Sequence, residues 1–324
     1  MIAVGKAAVP MMKTALRHVD QRQAILVTNY ENSAEIPGVE CYASGHPVPD
    51  DNGANAALAV VRHLTNAQAP DRVIALISGG GSALLPAPAA VLSLIHKTIV
   101  NRLLLGAGFD ITRINLVRQN LSQPKGGGFL RLATPAPVTA YILSDVIGGD
   151  LRVIASGPTS APLGTAADAL AVLQAGGIWD QLPIEVRRHL GRAEPTVPLL
   201  PPATNVLIGS NRQSLAAVLA EASRWQAPIV SDHLNGDVAN ACYPIIKAAQ
   251  AAPKNRPACL IFGGETTVIL RGTGLGGRNQ ELALRVAIAA QGLDRKWVFR
   301  SGGTDGRDGP TDAAGGLVDR QSMT

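Results

Sequence analysis

Short runs of β-branched and other apolar residues alternate along the chain with a glycine- or aspartate-bearing turn and then an Ala/Leu-rich amphipathic segment. Repeated βα units of a parallel sheet have this rhythm, so the pattern predicts an α/β fold. The apolar runs place strands at 24–28, 72–77, 138–143, 205–208 and 258–262. The amphipathic segments place helices at 7–18, 52–64, 91–105, 165–175, 212–225, 238–251 and 278–290. Asp50 or Asp51 is positioned to cap the second helix, and Asn211 the fifth.

A stretch holding Pro195, Pro198, Pro201 and Pro202 cannot be regular structure and reads as a surface connector. The turn signal Asn235-Gly236-Asp237 is taken as the domain boundary, giving a larger domain over 1–235 and a smaller one over 236–324. With 324 residues, 46% of them hydrophobic and 16% charged, the chain can bury substantial cores, and two domains are expected.

Composition narrows the function classes. The formal charge is +5, yet Lys and Arg are scattered and only 3% of residues are aromatic, so neither a phosphate-tracking strip nor base-stacking platforms are available. An anionic small molecule is a better partner than nucleic acid. Cys41, Cys242 and Cys259 are widely spaced, which suggests neither disulfides nor a zinc site and fits a reducing, cytoplasmic location. The apolar stretch at 83–95 contains prolines and is too short for a bilayer span, so no membrane association is expected.

Chemistry concentrates in glycine-rich turns at strand ends. Residues 73–77 run into Ser78, Gly79, Gly80, Gly81 and Ser82, where missing Cβ atoms let backbone N–H groups approach an anion. A helix starting just beyond would add its dipole. Gly5-Lys6 offers a lysine at a strand end, able to meet a phosphate as a point charge. Glu265 follows a glycine pair, and residues 272–277 deliver Arg278, Asn279, Gln280 and Glu281 into the first turn of a helix. An arginine where the helix dipole favours anions suggests an anion bound beside it. Asp305, Asp308 and Asp312 lie among glycines after a strand-like run, a composition suited to Mg²⁺. Asp145 begins another such loop, and His46, within Gly-His-Pro, is either a base or a turn residue. Neither the dinucleotide spacing G-x-G-x-x-G nor the P-loop pattern is present.

In order, GKAA (5–8), GHPVPD (45–50), SGGGSALL (78–85), LSQPKGG (121–127), SDVIGGD (144–150), SGPT (156–159), GSN (209–211), GGETT (263–267), GGRNQE (276–281) and GTDGRDGPTDAAG (303–315) span the chain. Together they resemble the MOFRL-containing glycerate 2-kinases, proteins long labelled hydroxypyruvate reductases as well. The resemblance implies a Rossmann-like larger domain, a smaller C-terminal α/β (MOFRL) domain and an active site in the cleft between them. It also implies transfer of the ATP γ-phosphoryl to the 2-hydroxyl of D-glycerate, with ATP and Mg²⁺ as cofactors and 2-phosphoglycerate and ADP as products.

Lys6 and Arg278 match the family's essential lysine and arginine. Gly79, Gly80, Gly81 and Ser82 match its anion loop, and Ser210 and Asn211 join them as nucleotide-binding positions. Asp145, Glu265 and Asn279 are expected at the substrate, and Asp305, Asp308 and Asp312 are metal candidates. Asp145 and those three are also candidates to accept the hydroxyl proton. A homodimer is one assembly open to it.

The chain departs from the family pattern at Gln119-Asn120 (family Lys-His), Pro124 (aliphatic) and Gly128 (basic), which predicts remodelling of a helix through 116–131. By the family's standard it is shortened at both ends, with the MOFRL domain incomplete at its C-terminus. A reductase and an inactive shortened homologue are the alternatives. The reductase would require the dinucleotide fingerprint that the sequence lacks.

Overall fold

The computed structural model describes residues 1–20, 22–146, 148–192, 199–225 and 227–323. Its contacts divide the chain into two compact units, Met1–Ser210 and Asn211–Thr324.

The first unit is built on a six-stranded sheet of β1 (Ile2–Val4), β2 (Ile25–Asn29), β3 (Glu40–Ser44), β4 (Val73–Ser78), β5 (Val138–Leu143) and β6 (Ala203–Gly209). All pairings are parallel, in the order β3-β2-β1-β4-β5-β6. This is the doubly wound order of dinucleotide-binding sheets, with its topological switch point between β1 and β4. The helices are α1 (Ala8–Ala15), α2 (Asp51–Thr65), α3 (Gly81–Leu84), α4 (Leu94–Gly106), α5 (Ile111–Asn120), α6 (Gly128–Ala133), α7 (Ala166–Ala175) and α8 (Ile184–Arg192).

Side-chain alternation along each strand divides the core. Ile2, Val4, Ile25, Val27, Ala75 and Ile77 face α2 and α6, burying Ala56, Val60, Leu64 and Phe129. Ala3, Leu26 and Leu76 face the opposite way, onto Ala8 and Met12 of α1. Because both faces are covered, β2 is buried at every position, which is why it reads as a continuous apolar run. A separate cluster from α4, α5, α7 and α8 contains Val100, Leu104, Ile114, Val117, Leu173, Val186 and Leu190.

Local signals account for several helix starts. Asp50 caps α2 by accepting from the Gly53 N–H at 2.8 Å. Asp110 caps α5, and capping boxes begin α4 at Ser93 and α7 at Thr165. Around Pro124 the helix is interrupted as anticipated, with α5 ending at Asn120 and α6 starting at Gly128. Gly126 and Gly127, at φ 53° and 77°, carry the chain between them. At the family's lysine position, buried Gln119 donates to the Arg152 and Ser156 carbonyls and accepts from the Leu163 N–H.

The second unit contains α9 (Asn211–Glu221), β7 (Ile229–Asp237), α10 (Val238–Ala251), β8 (Ile261–Thr267), α11 (Arg278–Ala289), β9 (Val298–Gly302) and β10 (Gly315–Asp319). Strands β7 and β8 are parallel, and β9 and β10 antiparallel. Val238, Cys242 and Ile245 pack on Leu282 and Val286, joining α10 to α11.

The division at Ser210 and Asn211 precedes the boundary expected at 235/236. Asn235-Gly236-Asp237 is the end of β7, in register with Glu265-Thr266-Thr267, and Asp237 then caps α10. Asn211 is the first residue of α9 rather than its cap, and its amide donates to the Asp232 carbonyl at 2.8 Å. Part of the proline-rich connector, 193–198, lies outside the described residues.

Candidate active site

At the carboxyl ends of β1 and β4, two turns interlock across the switch point. Gly5 adopts φ 125°, and a Cβ there would fall 2.2 Å from Ser78 Oγ, so the turn requires glycine. Its approach lets the Lys6 N–H donate to the Gly79 carbonyl at 2.9 Å and the Ala7 N–H donate to Ser78 Oγ at 3.0 Å. Ser78 thus provides from β4 the cap that α1 lacks in its own sequence. Asn32 holds the Lys6 carbonyl. The Lys6 side chain is exposed at this crossing.

The glycine loop is crowded on one side. A Cβ on Gly79 would lie 1.8 Å from Asp145 Oδ2, so the Asp145 carboxylate, after β5, closes directly over that backbone. A Cβ on Gly80, at φ 85°, would meet Lys6 Cγ and the His46 ring, at 3.2 Å each. Lys6, His46, Gly79, Gly80 and Asp145 therefore converge from four strand ends. The ring of His46 is half-buried, and its pKa is lowered first by burial and then by the Lys6 charge, with Glu31 and Asp145 opposing.

Ser82 departs from expectation: its side chain turns inward rather than toward an external anion. Its Oγ is 2.9 Å from Lys125 Nζ and 2.9 Å from Ser156 Oγ, which in turn donates to Asn115 at 3.0 Å. Lys125 also donates to the Ser82 carbonyl. Ala155 and Ser156 adopt φ 49° and 62°, strained values for residues with a Cβ. Ala155 lies under Gly81, where a Cβ would meet it at 2.9 Å. The loop is thus supported from below by buried polar groups. Helix α3, with Gly80 as its N-cap, starts on the loop as expected but is a single turn, and the longer α4 starts only at Leu94.

Lys125 belongs to the site's support although its sequence surroundings do not mark it. Its signal was a lysine within LSQPKGG, with nothing local to show that it is buried. Burial lowers its pKa well below the usual lysine value, and Lys97 and Arg118 add to the effect.

In the second unit, Arg278 pairs with Glu265 through a close Nη1 to Oε1 contact. The anion anticipated at this helix start is supplied internally as well. Asp308, 3% exposed, accepts from the Asn279 and Gln280 N–H groups at 2.9 and 2.7 Å and from the Asn279 amide at 3.1 Å. It neutralises the start of α11, where both of its carboxylate oxygens are engaged. Asn279 also accepts from Ser301 Oγ, tying it to β9.

Asp305 and Asp312 remain exposed, with Asp305 accepting from the Arg307 N–H. Among the described residues no three His, Cys, Asp or Glu side chains gather as a metal-holding group. Nor does any described helix have the length and apolarity to cross a membrane. Ser210 ends the first unit directly after β6, and Asn211 Oδ1 sits 2.7 Å from the Cβ position of Gly263.

Comparisons with known proteins agree with this architecture. The family model described as "Domain of unknown function (DUF4147)" matches residues 1–191, and the MOFRL family model matches 258–324. The D-glycerate 2-kinase of Thermotoga maritima is 41% identical, over 98% of this chain and 78% of that protein. The glycerate 2-kinase of Pyrococcus horikoshii is 38% identical, over 98% and 75%. The crystal structure of the Thermotoga maritima glycerate kinase superposes with a TM-score of 0.87 at 40% identity, covering 98% of this chain and 78% of the other. By sequence and by fold, this chain belongs to the MOFRL-type glycerate kinase family.

Proposed function

We propose that the protein is a glycerate 2-kinase, transferring the γ-phosphoryl of ATP to the 2-hydroxyl of D-glycerate. The observation that carries the reading is the placement of Lys6 and the Gly79–Gly80 backbone at the switch point of a doubly wound sheet, where such folds bind phosphorylated ligands. The glycerate kinase relatives supply the substrate.

Phosphoryl transfer asks a protein for positioning and for charge stabilisation rather than covalent chemistry. Lys6 places its ammonium against the developing negative charge, and the loop's backbone N–H groups hold phosphate oxygens. Asp145 lies over Gly79 at the edge of the same crevice and orients the glycerate hydroxyls. Arg278 acts on the phosphoryl group or on the glycerate carboxylate. Its exposed pairing with Glu265 is weak enough to be exchanged for an anionic ligand. Asn279, fixed by Asp308 and Ser301, keeps this helix start in place.

Mg²⁺ usually reaches a kinase bound to nucleotide phosphates and needs only one or two protein carboxylates. With Asp308 committed to α11, Asp305 and Asp312 are the residues of that loop that fit the ion. When bound, the ion would supply neutralisation of the phosphate charge. The free thiols of Cys41, Cys242 and Cys259 suit the cytoplasm.

The strand order alone would also suit a dinucleotide-dependent hydroxypyruvate reductase. The turn after β1, where a pyrophosphate would rest, has Gly5 followed by Lys6 instead of the three spaced glycines. ADP release from Mg·ATP on addition of D-glycerate, abolished in Lys6→Ala, is the expected result. NAD(P)H oxidation by hydroxypyruvate without ADP release would reverse the assignment.

A further inference from the structure

We propose that His46 is the general base of the reaction, taking the proton from the glycerate 2-hydroxyl as that oxygen attacks phosphorus. The assignment rests on the kinase reading above. As the new bond forms between the 2-oxygen and the γ-phosphorus, the bond from that phosphorus to the bridging oxygen of ADP breaks. The hydroxyl proton passes to the unprotonated ring nitrogen of His46 and from there to solvent.

Geometry carries the argument. The ring stands beside Lys6 and the Gly80 backbone: its Cδ2 and Nε2 lie 3.2 and 3.3 Å from the Cβ position of Gly80. A base here is next to the groups that hold the transferring phosphoryl. The ring makes no side-chain hydrogen bond or ion pair among the described residues, whereas His63, His96 and His233 each meet a carboxylate. His46 thus faces the crevice with its basic nitrogen uncommitted.

The backbone that presents it is anchored on both sides. A Cβ on Gly45 would fall 2.5 Å from the Val48 carbonyl, which closes the turn tightly. Asp50, a few residues on, caps α2 and accepts from the Tyr30 hydroxyl, which fixes the loop to the end of β2. The charged groups acting on the ring are Lys6 after β1, Glu31 after β2 and Asp145 after β5. Lys6 and burial keep the imidazole neutral, the form a base requires, at physiological pH. The carboxylate at this crossing, Asp145, lies over the Gly79 backbone and is assigned to orient the glycerate hydroxyls.

The test is the pH dependence of D-glycerate phosphorylation in wild type, His46→Gln and Asp145→Asn. His46→Gln should lower kcat by about 100-fold or more, the range for loss of a general base. It should leave the KM for ATP within about threefold, because the loop that holds the nucleotide is untouched. The wild-type acid limb should lie below pH ~6.5 and should vanish in His46→Gln but persist in Asp145→Asn. An NMR titration of the wild-type imidazole should show the same midpoint without substrate.

Turnover in His46→Gln within about threefold of wild type, or an acid limb lost only in Asp145→Asn, overturns the base assignment and leaves the kinase reading standing. A ring that titrates above the ordinary histidine value also overturns it. Absence of glycerate-dependent ADP release in wild type removes both.

Discussion

The side-chain amine of Lys125 donates to the carbonyl oxygen of Ser82 at 2.8 Å and to its Oγ at 2.9 Å, gripping the last residue of the glycine loop by backbone and side chain together. The lysine is 4% exposed, and among the described residues no carboxylate forms an ion pair with it. Such an arrangement costs desolvation energy, and the return is a loop held in one shape.

Replacing Lys125 with Met should therefore loosen residues 79–82 while keeping the volume filled. Two acceptors lose hydrogen bonds of about 0.5–1.5 kcal/mol each, partly offset because a buried amine no longer has to be desolvated. The expected outcome is faster amide exchange across 79–82 and a KM for ATP raised by about tenfold. Hydrogen exchange with mass spectrometry and steady-state kinetics measure the two. Unchanged exchange in this loop would show that the clamp does not shape it.

Asp308 should behave as a helix anchor. Asp308→Ala leaves the N–H groups of Asn279 and Gln280 without their acceptor and is expected to destabilise the second unit by about 2 kcal/mol, in the range for loss of a cap. Asp308→Asn should be intermediate, because one acceptor oxygen survives without the charge. Thermal melts with and without Mg²⁺ check this, and the loss should be the same in both. A loss that appears only when Mg²⁺ is present would return Asp308 to the metal ligands.

Lys97 gives a pH signature. Burial and the nearby Arg118 lower its pKa to about 7, while its amine donates to the Pro86 carbonyl and to Ser122 Oγ. Between that value and the unfolded-state pKa near 10.4, the unfolded chain binds more protons than the folded one. This group's contribution to stability therefore rises with pH across that window, at up to about 1.4 kcal/mol per unit. Denaturant melts of wild type and Lys97→Met should diverge in favour of wild type from pH 7 to 9.5. Parallel stability curves would contradict the lowered pKa.

Much of the fold was legible because the strands are short, apolar and separated by glycine turns. The signals at 73–77 and 138–143 needed no tertiary information. Strand β3 was missed because Glu40–Ser44 is an edge strand with only its last residue buried, so it lacks the apolar run of its neighbour β2. Strand β7 was missed because Ile229–Asp237 has mostly exposed or half-buried positions, and its Asn-Gly-Asp end reads as a turn.

At the candidate site, the positions of Lys6 and the glycine loop at strand ends were legible because each follows a short apolar run, while their assigned roles came from the family resemblance. The role of Asp308 could not, since a carboxylate among glycines looks the same whether it holds a metal or the start of a helix. Lys125 was hidden for a related reason: its burial depends on Ser82 and Ser156, which are remote in sequence.

The central claim is the reaction and its regiochemistry, and proton-coupled ³¹P NMR of the reaction with Mg·ATP and D-glycerate reads both. A phosphate on the 2-oxygen couples to the single C2 proton, so a new monoester doublet that is absent in Lys6→Ala is the predicted result. A triplet, from phosphate on the C3 methylene oxygen, or no new monoester at all, would contradict it.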